Sequence, residues 1–217
     1  MSLSNLLFPA KCVLCERILE RGERDLCSDC RIDAPECPVS RKKLPFIHSW
    51  VALWHYEGCA RQSVLRYKFR NRRSHAQVYG RLLAEKLRQE YPEEFDILTW
   101  VPISGLRKMK RGFDQVQLLA KALGKELGQK PVRILKKIRH NRPQSGITGQ
   151  AHRRANVLGV YKVIHAEALP GKRVLLLDDI ITTGATAGEC ARMLLTAGAK
   201  EVTVGAVAAA RHDANTK

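Results

Sequence analysis

At 217 residues, 45% hydrophobic and 27% charged, the chain can build one substantial core, and its composition excludes a fibrous repeat or a disordered segment. A formal net charge of +17 and a pI near 9.9 favour polyanionic partners: nucleic acid, an acidic protein surface or a phosphorylated small molecule. No apolar run approaches the roughly 18 to 20 residues of a bilayer span, and the opening MSLSNLLFPA lacks the basic start of a secretory signal, so a cytoplasmic location without membrane insertion is expected.

In that reducing setting seven cysteines are read for metal or catalysis rather than for disulfides. Cys12-Val13-Leu14-Cys15 and Cys27-Ser28-Asp29-Cys30 are two C-x2-C pairs separated by eleven residues. Each pair sets two thiolates on one tight knuckle, and two facing knuckles complete a tetrahedral four-sulfur site suited to zinc. Four unligated cysteines would instead leave reactive thiols on a segment too short to fold by burial alone. With every position filled by protein sulfur there is no open site for a substrate, so the zinc is expected to be architectural. Cys37-Pro38-Val39-Ser40 is half of a third knuckle and is not counted as a ligand, whereas Cys59 and Cys190 sit in helical patterns that suit apolar packing. Residues 1–44 are thus expected to form a zinc module and 45–217 a second domain.

After the basic link RKKLPF, the run Trp50 to Tyr56 reads as an edge strand or a hairpin. Helical spacing follows from Cys59 to Phe69 and from His75 to Tyr91, where Val78, Leu82, Leu83 and Leu87 form a core-facing stripe. Asp96 to Pro102 reads as a buried strand ended by proline, and the segment holding Arg107, Lys108, Lys110 and Arg111 as a flexible basic stretch. A helix is expected from Gln115 to Leu127, closed by Gly128. Apolar runs at 132–135, 174–177 and 202–207 predict further strands, and Gly188 to Ala197 a helix between the last two. Alternating strands and helices imply an α/β fold, a mainly parallel sheet with helices on both faces, whose ligands gather at the carboxyl ends of strands.

One such end carries the most specific signal. In VLLLDDIITTGAT a buried strand delivers Asp178 and Asp179 to its mouth, where carboxylates can accept hydrogen bonds from vicinal sugar hydroxyls. Thr182, Thr183, Gly184, Ala185 and Thr186 then supply hydroxyls and consecutive backbone N–H groups, the composition of an anion nest opening into a helix. Receiver domains would need a different acidic cluster, and P-loop ATPases a G-x4-G-K-[ST] loop, neither of which accompanies it. Carboxylates for a diol beside a nest for a phosphate describe a 5-phosphorylated ribose.

This stretch resembles the signature of the type I phosphoribosyltransferases. The resemblance implies that Asp178 and Asp179 hold the ribose hydroxyls of phosphoribosyl pyrophosphate, that Thr182 to Thr186 cradle its 5-phosphate, and that Mg²⁺ accompanies the pyrophosphate. Other elements narrow the family: the V-P-x-S turn from Val101 to Ser104, the R-G-F-D-Q that follows it, Arg142-Pro143-Gln144-Ser145, Arg153 and Asn156, Tyr67-Lys68-Phe69, and the front cysteines. Their order over nearly the whole chain resembles the ComF family of competence-associated proteins, including its GntX-type members. Such proteins often carry further cysteines, whereas Ser40 stands here where a partner for Cys37 would be, so no second metal site is expected.

Phosphoribosyl transfer develops positive charge at the anomeric carbon as pyrophosphate leaves, and an enzyme gains most by stabilising the leaving group and aligning the nucleophile. Lys68 and Arg111 are the candidate pyrophosphate cations, with Ser104 beside them at its turn. The segment from Arg139 to Arg154 is read as a hood that orders over the ligand, with Gln144, Arg153 and Asn156 as contacts. Three functions remain open at this point. The chain transfers phosphoribose to an unidentified acceptor; it is a binding module for single-stranded DNA or a DNA-processing helicase, as the competence association implies; or it senses phosphoribosyl pyrophosphate without turnover. Self-association is also left open.

Overall fold

The computed structural model describes residues 9–38, 43–91, 94–139 and 150–211. Its helices are α1 (Ser28–Asp33), α2 (Gly58–Phe69), α3 (His75–Glu90), α4 (Gly105–Arg111), α5 (Gln115–Leu127), α6 (Gln150–Val157) and α7 (Ala185–Thr196). Its strands are β1 (Ser49–His55), β2 (Ile97–Trp100), β3 (Leu135–Lys137), β4 (Tyr161–Val163), β5 (Arg173–Ile181) and β6 (Glu201–Ala209).

Four strands form a wholly parallel sheet in the order β1-β6-β5-β2. Strand periodicity sorts its side chains onto two faces. Leu175 and Leu177 of β5 join a core with α2, α3 and α5, while Val174 and Leu176 join one with α7 and the β3–β4 pair. Covering both faces explains why β5 and β6 are aliphatic almost without interruption. The expected layering, with helices on both sides, is the one observed. On one side α3 and α5 cross so closely that a Cβ on Gly80 would lie 2.8 Å from the Ala122 and Leu123 backbone.

Three local expectations change. The run at 50–56 is an edge strand parallel to β6, not a hairpin, and its outer side is partly covered where Cys37 N–H donates to the Leu53 carbonyl at 3.1 Å. The strand expected at 132–135 does not enter the main sheet. It begins at Leu135 and pairs antiparallel with β4 as a separate ribbon, because Lys136 and Lys137 cannot sit in a strand buried on both faces. The basic stretch at 107–111 is helical: Ser104 Oγ accepts from Arg107 N–H at 3.3 Å at its start, and Gly112 ends it at φ +74°.

The front cysteine segment shares the main core. Val13, Leu14 and Leu26 are buried in the same cluster as Val64, Tyr67 and Tyr79 of α2 and α3.

Candidate metal centre and ligand cleft

Cys12, Cys15, Cys27 and Cys30 bring four Sγ atoms within 4.8 Å of one another. Cys12 and Cys15 flank a turn, while Cys27 caps α1, its sulfur facing Cys30 N–H at 3.5 Å. The Cys15 and Cys27 sulfurs are 3.6 Å apart, against the roughly 3.8 Å edge of a tetrahedron with Zn–S bonds of about 2.3 Å. Burial, then the neighbouring sulfurs, push the Cys30 thiol far above its ordinary range, and a central dication would relieve that crowding. Donor type, number and spacing therefore fit zinc. Cys37 is buried apart from this group, and Ser40 lies outside the described residues.

The knuckle between Cys12 and Cys15 is tied to α2. Ser63 Oγ donates to the Val13 carbonyl and lies 2.6 Å from Tyr79 Oη; the Arg66 guanidinium donates to the Leu14 carbonyl and stands 3.6 Å from the Glu16 carboxylate. Arg81 of α3 pairs with Asp25 beside the second knuckle. Two residues beyond Arg66, the same helix presents Lys68 to the other functional region.

That region is a cleft of about 860 Å³ at the carboxyl ends of β2 and β5, walled by α2, α4, the start of α5 and the β3–β4 ribbon. Asp178 and Asp179 occupy its floor near the end of β5. Lys68 Nζ is 2.9 Å from Asp179 Oδ1, and Gln115 Nε2 donates to Asp179 Oδ2 at 2.8 Å. Asp178 Oδ1 accepts from the Asp179 N–H at 2.8 Å. The two carboxyls are pushed apart in character. Burial, with the Asp179 charge beside it, raises Asp178 to about 8. Burial acts on Asp179 too, but Lys68 and Gln115 outweigh it and hold that carboxylate below its ordinary range. At neutral pH the floor thus combines one protonated acid with one carboxylate.

Thr182 to Ala187 wrap a small concavity that shares Asp178, Thr182 and Thr186 with the cleft. Gly184 makes the turn at φ +72°, and a Cβ there would fall 3.0 Å from Leu44 Cδ1, so the position requires glycine on two counts. Thr183 Oγ1 accepts from Ala185 N–H at 3.4 Å, and α7 begins directly after, its first amides turned toward the concavity's wall.

Arg111 lines the cleft with its guanidinium 5.0 Å above the Phe69 ring; burial lowers its pKa against the pull of Asp179. The structure therefore gathers Lys68, Arg111, Asp178, Asp179 and the 182–186 loop. It does not bring Ser104 to the cleft wall, since that hydroxyl is occupied in capping α4. Arg153 and Asn156 lie on α6, with Asn156 half-buried and away from the cleft lining. Gln144, with most of the expected hood, is outside the described residues.

Sequence reasoning missed Gln115, Lys137 and Tyr161. Gln115 stood in the quoted R-G-F-D-Q with no role assigned. Lys137 and Tyr161 face each other across the ribbon, with Lys137 Nζ 5.5 Å from the ring centre, and burial together with Arg107 lowers the ammonium to about 8. Antiparallel pairing of two three-residue strands separated by a long intervening segment left no periodic signal.

Comparison with known proteins places this geometry. The family description "phosphoribosyl transferase domain" matches residues 74–217. Competence protein F of Haemophilus influenzae is 27% identical, with 94% of this chain and 98% of that protein covered. DNA utilization protein YhgH of Salmonella typhimurium is 28% identical over 89% and 87% of the two chains. Among solved structures, the glutamine phosphoribosylpyrophosphate amidotransferase from B. subtilis, complexed with ADP and GMP, is 27% identical with a TM-score of 0.44, covering 66% of this chain but only 30% of that one. The chain belongs to the phosphoribosyl transferase domain family, in its ComF branch, with a four-cysteine module at the front.

Proposed function

We propose that the chain binds phosphoribosyl pyrophosphate in this cleft and transfers its ribose 5-phosphate to an acceptor nucleophile. The observation that carries the reading is the pair Asp178 and Asp179 opening onto the Thr182–Thr186 loop, with Lys68 and Arg111 on the opposite wall. The carboxyls orient the ring hydroxyls, and the loop amides and hydroxyls take the 5-phosphate. Lys68 and Arg111 face the pyrophosphate as its bond to the anomeric carbon breaks and the bond from the acceptor forms. Both oxygens of Asp179 are already engaged, so the floor suits Mg²⁺ held through water and the ligand's own oxygens, where it would neutralise the leaving group. The test is pyrophosphate release with Mg²⁺ across nucleobases, nucleosides and DNA ends as acceptors. Release that depends on one acceptor class is expected; saturable binding without release for any of them identifies a sensor instead.

A second reading, DNA binding, is favoured by the cleft mouth. There Phe69 is 65% exposed beneath Arg111, and α4 carries Lys108 and Lys110 beside exposed Leu106 and Met109. Basic groups with an exposed aromatic ring suit single-stranded DNA, whose bases stack while its phosphates are neutralised. The competence and DNA-utilization names of the relatives are consistent with it. Binding of a labelled oligonucleotide should weaken steeply with salt, and replacing Lys108 and Lys110 by Gln should lower the log–log slope by about 1.4. An unchanged affinity and slope would exclude this surface as the contact.

A further inference from the structure

We propose that Gln115 contacts the ligand directly, its side-chain oxygen accepting a hydrogen bond from a ribose hydroxyl while its amide nitrogen holds Asp179; this rests on the sugar-phosphate reading of the cleft.

Gln115 is the first residue of α5 and only 2% exposed, yet it forms part of the cleft wall. Its backbone is fixed from two directions. Asp114 Oδ1 caps the helix by accepting from Gln117 N–H at 3.0 Å, and Tyr67 Oη donates to the Gln115 carbonyl at 2.5 Å. Its side chain is fixed by Asp179. A carboxylate only accepts hydrogen bonds, so the amide's NH₂ must face it and the oxygen must face elsewhere. Lys68 on the other Asp179 oxygen keeps that group ionised and removes the flipped alternative.

The oxygen left over, Gln115 Oε1, is buried and finds no hydrogen-bond partner among the described residues. Buried acceptors in that condition are rare, and on a cleft wall they mark where a donor arrives. The phosphates of the proposed ligand offer acceptors, and at neutral pH few donors. Its donors are the ring hydroxyls, which Asp179, one hydrogen bond away from this amide, is placed to receive. Side-chain chemistry is also restrictive at this position. Glutamate would set a second negative charge against Asp179, and leucine would leave one Asp179 oxygen without its donor. Only a group with a donor on one side and an acceptor on the other serves both neighbours.

The test compares the full chain with Gln115→Leu and Gln115→Met, using calorimetric titration with ribose 5-phosphate and its 2-deoxy and 3-deoxy analogues, with and without Mg²⁺. The wild type should prefer ribose 5-phosphate to at least one deoxy analogue by about tenfold, and both variants should lose most of that preference. Both should also keep a cooperative thermal transition, and the methionine variant retains the unbranched shape should leucine disturb packing. The same preference in variants and wild type, for both analogues, overturns the assignment. A change that appears only with Mg²⁺ also overturns it, by identifying metal-bound water as the donor. Wild-type protein that binds neither ribose 5-phosphate nor phosphoribosyl pyrophosphate removes the sugar-phosphate reading itself, whereas binding with an unaltered preference removes only the role of Gln115.

Discussion

Replacing Asp178 and Asp179 together by asparagine is expected to abolish detectable binding of phosphoribosyl pyrophosphate with Mg²⁺. Hydrogen bonds to a charged acceptor contribute about 1.5–3 kcal/mol each, so loss of two predicts a drop of roughly a hundredfold or more. An opposing effect is smaller. Lys68, released from Asp179, gains freedom to attract pyrophosphate, but its amine then stands without the carboxylate that positioned it. Equal affinity in the double variant and the wild type would end the assignment of this floor to the ribose.

The same pair predicts a pH signature with two opposite signs. Asp178 keeps its proton in the folded state up to about 8, while the unfolded chain loses it near the ordinary carboxylate range. Between those values the folded state binds more protons, so this group's contribution to stability falls as pH rises. Asp179 does the reverse: its lowered pKa contributes stability that is present above the ordinary range and lost on acidification. Ligand binding that needs Asp178 as a carboxylate should strengthen from pH 7 toward 8.5, by up to about tenfold per unit below 8. Titrations in buffers of different ionisation enthalpy should report proton release in that window. In Asp178→Asn the release should vanish.

The second large effect is expected from metal removal. The protein should carry one zinc per chain, lost in Cys12→Ser and on treatment with a strong chelator. Apparent binding free energies for structural zinc run to about 10–16 kcal/mol, comparable with the whole folding free energy of about 5–15 kcal/mol for an ordinary domain. The cysteine segment is also not peripheral here: Cys12, Val13, Leu14 and Cys27 lie in the core that holds Tyr67 and Tyr79. The metal-free chain should therefore melt more than 10 °C lower, since a loss of even a few kcal/mol has that effect on a chain of this size. It should also bind phosphoribosyl pyrophosphate more weakly, because Lys68 rides on the helix that the knuckle holds. A melting temperature within a few degrees of the zinc-loaded protein would show that packing alone secures the segment.

How far the sequence carried is clearest residue by residue. Asp178 and Asp179 could be placed because an aliphatic run fixes a strand and the residues after it must emerge at its end. Helix α5 was legible to the residue because Gly128 closes it in the left-handed region at φ +67°. The four cysteines were legible because metal geometry constrains spacing. What stayed hidden was long-range. Nothing local connects Lys137 with Tyr161, or Ser63 with a carbonyl fifty positions earlier. Ser104 illustrates the opposite error of emphasis: its place at a strand end suggested the ligand, but a hydroxyl before a helix serves equally as a cap, and capping is its use here. Gln115 was visible as a letter in a motif, but its role depends on which amide atom Asp179 selects, and that is a fact of three dimensions.

Helix α2 sets where this chain can be cut. A fragment beginning at residue 45 would keep every strand of the main sheet and every named group of the cleft. It would also bare the sides of Val64 and Tyr79 that Val13 and Leu14 help to cover, and strip Ser63 and Arg66 of the carbonyls they hold. Such a fragment would be sticky and poorly ordered at the helix that delivers Lys68, so the shortest useful piece of this protein starts ahead of Cys12.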